Sequence, residues 1–128
     1  MPSQQFEDGL DVRKAVLGEE FVEAALANSN AFNGQLQEFV TEYCWGTVWT
    51  RPGLERKTRS LLNIAMLAAL GRSHELGLHV RGAVRNGCSD QEIAEALLQA
   101  AVYAGVPAGV EGFRVASAAL AEARGEES

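Results

Sequence analysis

Residues 51–87, RPGLERKTRSLLNIAMLAALGRSHELGLHVRGAVRNG, decide how this chain folds. A Pro52-Gly53 turn opens the stretch, and a basic ramp of Arg56, Lys57 and Arg59 follows. Then comes a run of apolar and small residues, Leu61-Leu62 and residues 64–70, divided only by Asn63. A helix that is apolar on every side reads as a buried one. Gly71 breaks it, and a second helical segment carries Arg72, His74, Glu75 and His79, including the only two histidines of the protein. The pair reads as core plus functional site, with the buried helix delivering the ionisable side chains of its successor into the interior.

Outward from this pair the signals are helical almost throughout. Residues 5–17 carry Phe6, Leu10, Val16 and Leu17 at loosely helical spacing, with Gly9 as a weak point, and Gly18 ends the segment. Residues 19–28 resume with Phe21, Val22, Ala25 and Leu26 on one face, and Asn28-Ser29-Asn30 is a stop. From 31 to about 45 a third helix shows Phe32, Leu36, Phe39, Val40 and Tyr43. Both tryptophans, Trp45 and Trp49, fall in the stretch before Pro52-Gly53. On the far side, Asn86-Gly87 is a C-terminal cap pattern, and Ser89-Asp90-Gln91-Glu92 reads as a capping box opening a helix over 90–103. Gly105-Val106-Pro107 separates it from a last helix reaching about residue 124, rich in small residues that permit close helix approach.

The expected fold is therefore all-α, a single-domain bundle of about six or seven helices over residues 1–128, with 1–8 and 125–128 as flexible tails. A chain of 128 residues suffices for one sizeable core. The apolar central helix and the alanine-rich C-terminal helices exceed what so small a monomer easily buries, which points to a homo-oligomer. A net charge of −6 argues against nucleic-acid binding, which wants a basic face. The central apolar run is short of the roughly 18–20 residues that span a bilayer, so no membrane partner is expected. The N-terminus MPSQQFEDGL lacks a secretory pattern, and Cys44 and Cys88 have no paired spacing. Both features lead to the expectation of a cytoplasmic protein.

Glu75 and His79 are four apart and share a helix face, with Arg72 three before Glu75. A carboxylate orienting an imidazole, with a cation nearby, suits acid–base chemistry near neutral pH. Spacing alone favours an ordinary surface pair worth a few tenths of a kcal/mol; placement behind a buried helix favours a functional one. His74 lies about 100° around the helix and reads as a solvated residue, and the two histidines are not spaced as zinc ligands. Arg51, Arg56, Lys57 and Arg59 form the densest cationic cluster, either solvating a helix start or clamping a carboxylate. Arg59 is the best-placed of them. Trp45 and Trp49 read as core anchors or as a pocket lip.

Taken together, Trp49-Thr50-Arg51-Pro52-Gly53-Leu54, Thr58-Arg59-Ser60-Leu61, Glu75-x-x-x-His79 and Tyr103-x-Gly105-x-Pro107-Ala108 closely resemble the 4-carboxymuconolactone decarboxylases of the protocatechuate branch of the β-ketoadipate pathway. The likeness runs from about residue 9 to 120. It implies the AhpD-like helical fold, a homo-oligomer (a hexamer), and neither organic cofactor nor metal. The alkylhydroperoxidases of the same superfamily carry Cys-x-x-Cys-x-x-x-His on the corresponding helix. Here His79 matches that histidine, while Arg72 and Glu75 stand where the cysteines would be, so thiol–disulfide cycling is the weaker alternative. A non-catalytic member that binds a small acid is another.

The resemblance implies a small anionic lactone as substrate, decarboxylated to 3-oxoadipate enol-lactone. In this reading His79 supplies a proton and Glu75 orients its ring. Arg59, with Arg51 or Arg72, binds the acetate arm or the lactone oxygen. Trp45 or Trp49 provides a dry wall for the departing carboxylate.

Overall fold

The computed structural model describes residues 2–125, and among these it holds seven α-helices, one π-helical segment and no strand. The all-α expectation stands. In chain order the elements are α1 (Gln4–Leu17), α2 (Glu19–Ala27) and α3 (Gly34–Phe39), which runs into a π-helical segment (Val40–Val48). They continue with α4 (Arg56–Leu70), α5 (Ser73–Arg85), α6 (Asp90–Ala104) and α7 (Val106–Ala123). By its internal packing the chain divides into two compact units, Met1–Leu54 and Glu55–Ser128. Among the described residues no helix is long and apolar enough to cross a membrane.

In the first unit, α1 begins at Gln4 because the Ser3 hydroxyl accepts the Phe6 N–H at 3.0 Å. Residues 4–8, expected as part of a flexible tail, are therefore helical; the tail expected at 125–128 lies, beyond Gly125, outside the described residues. The third helix starts at Gly34 rather than near residue 31. The Asn30 side chain accepts the N–H groups of Phe32 and Asn33 at 2.8 and 3.0 Å, and Asn33 accepts that of Asn30 at 2.7 Å. These local bonds hold the chain in turns and delay the helix.

The π-helical segment has a visible cause. Trp49 N–H bonds the carbonyl of Cys44, five residues back, at 3.0 Å, and α1 packs against this widened turn. The approach is backbone to backbone. A Cβ on Gly9 would overlap the Thr41 carbonyl and lie 2.7 Å from the Gly46 nitrogen, and one on Gly46 would overlap the Gln5 carbonyl. Gly9, which reads from sequence as a weak point of α1, is its contact point. Beside it Arg13 is buried, donating to Gln37 Oε1 at 2.9 Å and Thr41 Oγ1 at 3.1 Å. Burial lowers its guanidinium pKa from the ordinary value.

The second unit is a four-helix packing of α4 to α7 around Ile64, Ala68, Leu76, Val80, Ile93 and Leu97. The capping box forms as read, with Ser89 and Glu92 exchanging side-chain-to-backbone bonds at 2.9 and 3.1 Å. Gly109 and Gly112 let α7 press onto α6: a Cβ on Gly112 would sit 2.9 Å from Leu97 Cδ2.

One expectation for α4 fails. Its buried residues are Ser60, Ile64 and Ala68, a single i, i+4, i+8 stripe, whereas Leu62, Met66 and Leu70 are 46, 51 and 70% exposed. The other helices of the unit flank α4 on one side only, so an all-round apolar sequence leaves an apolar face open. One shallow apolar groove adjoins that face, and a second lies on α6 and α7. The first, of about 460 Å³, is lined by Ala65, Met66, Ala69, Ala100 and Tyr103, and the second, of about 390 Å³, by Ala101, Val106, Val110 and Phe113.

Candidate active site

The α4–α5 hairpin turns on Gly71, whose positive φ of 72° belongs to the left-handed region. Gly71 and Arg72 N–H groups return to the carbonyls of Ala68 and Leu67 at 3.2 and 2.9 Å, the Schellman closure of a helix end. Two polar pairs then set the hairpin register. The Asn86 amide donates to the buried Ser60 hydroxyl at 2.8 Å, and Asn63 Nδ2 stands 3.5 Å from His79 Nδ1.

His79 is half-buried. Burial pushes its pKa below the ordinary 6.5, and the negative charge of Glu75, one turn earlier, opposes this without overcoming it. The ring is therefore neutral near pH 7. Glu75 itself is exposed, as is Arg72, so the expectation that this helix buries its whole ionisable set holds only for His79. Both lie at the very start of α5, Arg72 as its cap and Glu75 in its first turn, next to the exposed Gly71 turn. Arg72 is the N-cap of α5, outside its regular turns, and its carbonyl accepts the Leu76 N–H at 2.9 Å. Its side chain is thus not held on the Glu75 face by the helical repeat. Arg59 lies half-buried in the first turns of α4, one turn before Asn63.

His74 is exposed, in keeping with its reading as a solvated residue. Trp45 and Trp49 belong to the first unit, where both are buried and stacked on each other with centroids 4.7 Å apart and planes at 22°. That is how core anchors sit. Arg51, also of the first unit, is exposed. Neither cysteine forms a disulfide; Cys88 is buried with its thiol pKa raised by burial, and its Sγ lies 3.5 Å from the Lys57 carbonyl. The residue that sequence reasoning passed over is Asn63, visible there only as a polar interruption in an apolar run. Its spacing of four from Arg59 was the available signal.

The model of the carboxymuconolactone decarboxylase family matches residues 34–118. The chain belongs to that family. Among its curated relatives, the nitrosuccinic acid decarboxylase npaB of Metarhizium robertsii is 52% identical over 110 residues, covering 86% of this chain and 77% of the relative. The 4-carboxymuconolactone decarboxylase of Acinetobacter baylyi is 49% identical over 105 residues, covering 82% and 78%. That of Pseudomonas putida is 42% identical over 43 residues, 34% of this chain and 90% of the relative. All three relatives are named decarboxylases, and the 42-to-52% identities place this chain well inside the family.

Proposed function

We propose that this protein is a carboxy-lyase that converts 4-carboxymuconolactone to 3-oxoadipate enol-lactone and CO₂. The supporting observation is a half-buried, neutral histidine, His79, braced across the α4–α5 hairpin in a chain whose relatives are decarboxylases. When the ring carboxylate leaves as CO₂, its electron pair passes through the conjugated C=C to the lactone carbonyl. The resulting dienolate takes a proton at the carbon alpha to that carbonyl. The enzyme must hold the acetate arm, stabilise charge on the lactone oxygen and deliver the proton. His79 meets the oxygen on which charge develops, the proton reaches the carbon from solvent, and the guanidinium of Arg59 holds a carboxylate.

A second substrate has a specific observation behind it, the 52% identical nitrosuccinic acid decarboxylase. Nitrosuccinate offers the same problem in another form. Loss of the carboxyl beside the nitro group leaves a nitronate, whose charge again rests on oxygen, while the second carboxylate remains as a handle. The test is to follow CO₂ release from each acid in parallel with the same enzyme preparation. Faster turnover of the lactone, by kcat/KM, is the expected result. Preference for nitrosuccinate moves the substrate assignment, and release from neither by folded protein removes the decarboxylase reading.

The homo-oligomer, a hexamer by resemblance, is also part of this proposal. What supports it is the open face of α4 with Leu62, Met66 and Leu70, beside Leu98, Val102 and Tyr103 of α6. An exposed apolar patch of this kind marks an association surface.

A further inference from the structure

Asn63 is a polar side chain on an apolar helix, half-buried, and its amide nitrogen points across the hairpin at one ring nitrogen of His79. The amide nitrogen has only protons to offer. Facing Nδ1 it can donate to that nitrogen's lone pair, and in a neutral imidazole that accepts there the N–H is on Nε2. We propose that Asn63 is a positioning residue that holds His79 as the Nε2–H tautomer, so that the neutral ring donates a hydrogen bond from Nε2 to the substrate oxygen on which charge develops.

This inference rests on the decarboxylase reading for its purpose but not for its geometry. Three features favour the neutral donor. The 3.5 Å separation is at the outer limit of a hydrogen bond, and contacts of this kind tighten when substrate fills a site. The register that sets it is anchored independently by Ser60 and Asn86, so the two side chains are held face to face by the fold. The charged groups around the ring also leave it neutral. On α5 Glu75 acts on it and is outweighed by burial; on α4 the charged residue nearest in sequence to Asn63 is Arg59, one turn away. On α7, which packs on α5, Glu111 is engaged by Ser73 and Arg114, and Glu122 by Arg81.

In the reaction, then, Nε2–H stabilises the dienolate or nitronate oxygen in the transition state. The atoms balance simply: the C–C bond breaks, its electron pair moves to oxygen, CO₂ leaves, and one proton from solvent ends on carbon. The imidazole neither gains nor loses a proton over the cycle. A histidine acting as imidazolium would require the ring to be charged at the start of each turnover.

The test uses the full-length protein labelled with ¹⁵N in its histidines, with a His74→Gln variant to assign the two rings. Expected is a His79 ring with a pyridine-type Nδ1 and a protonated Nε2 above its pKa. Asn63→Asp, whose carboxylate can only accept, is expected to move the proton to Nδ1, raise the pKa of His79 and lower kcat about 10²-fold with little change in KM. Asn63→Leu, nearly isosteric, removes the preference and gives a smaller loss. Activity of the wild type is expected to persist as pH rises above the His79 pKa. A protonated Nδ1 in the wild type overturns the proposal, as does an Asn63→Asp enzyme with wild-type tautomer and kcat. So does activity that falls as the ring loses its charge. The nuclear resonance result stands whether or not either acid is decarboxylated, so a wrong substrate leaves the tautomer assignment to be judged separately.

Discussion

The amide of Asn86, at the end of α5, donates to the hydroxyl of Ser60 on α4 at 2.8 Å, and Ser60 is completely buried. This bond ties the far end of the hairpin whose middle carries Asn63 and His79. Removing Asn86 strands a buried hydroxyl, which costs about 1–3 kcal/mol. Removing Ser60 leaves a half-buried amide that reaches water, at smaller cost. Asn86→Ala is therefore expected to destabilise the protein by more than Ser60→Ala, and the double variant by less than the sum. Chemical denaturation of the four proteins measures the cycle.

His79→Ala removes the group that faces the reacting oxygen. Its kcat is expected to fall by about 10²–10³, the usual cost of losing one such donor, with the helical circular dichroism of the wild type retained. Turnover close to wild type by this variant would remove His79 from the chemistry.

Two titrations set separate pH windows for stability. The pKa of His79 in the folded protein lies below 6.5, so as pH falls the unfolded chain takes up the proton first. Stability therefore declines from about 6.5 down to the folded-state value, and His79→Gln is expected to show less of that decline. Glu111 works on the more acidic side. The Arg114 guanidinium and the Ser73 hydroxyl hold its carboxyl at about 2 against an ordinary 4.5. Its contribution is present above 4.5 and is lost as pH falls toward 2. Denaturation midpoints for wild type, His79→Gln and Glu111→Gln across both windows separate the two.

The contact of α1 with the π-helical segment leaves no room for a side chain at Gly46. Gly46→Ala forces the two backbones apart and is expected to cost about 1–3 kcal/mol or more. Gly34→Ala, with nothing within 4 Å of the added atom, is expected to stay within about 0.5 kcal/mol of wild type. Equal midpoints for the two variants would contradict the packing described.

Much of this was legible because it is local. Gly18 and Gly71 stop helices, Ser89 and Glu92 start one, and Pro107 stands at the second residue of α7, within its first turn. The π-helical segment was not legible, since apolar spacing of three and four cannot announce a five-residue bond; its cause is the approach of Gly46 to α1, some forty residues away in sequence. The same holds for the site. His79 and Glu75 stand out by type and spacing, but the bond partner that sets a tautomer comes from another helix.

The face of α4 left open carries the last expectation. Leu62, Met66 and Leu70 recur every four residues and are about half exposed or more. A charge in the middle of this stripe stays in water in a monomer but is desolvated in an assembly, where an unpaired buried charge is prohibitive. Met66→Glu is therefore expected to leave the helix content unchanged while lowering the mass in solution to that of a smaller species. Sedimentation equilibrium of wild type and variant decides it. A wild type that sediments at 13.7 kDa removes the oligomer. A variant that keeps the wild-type mass shows that the subunits meet through some other surface than this one.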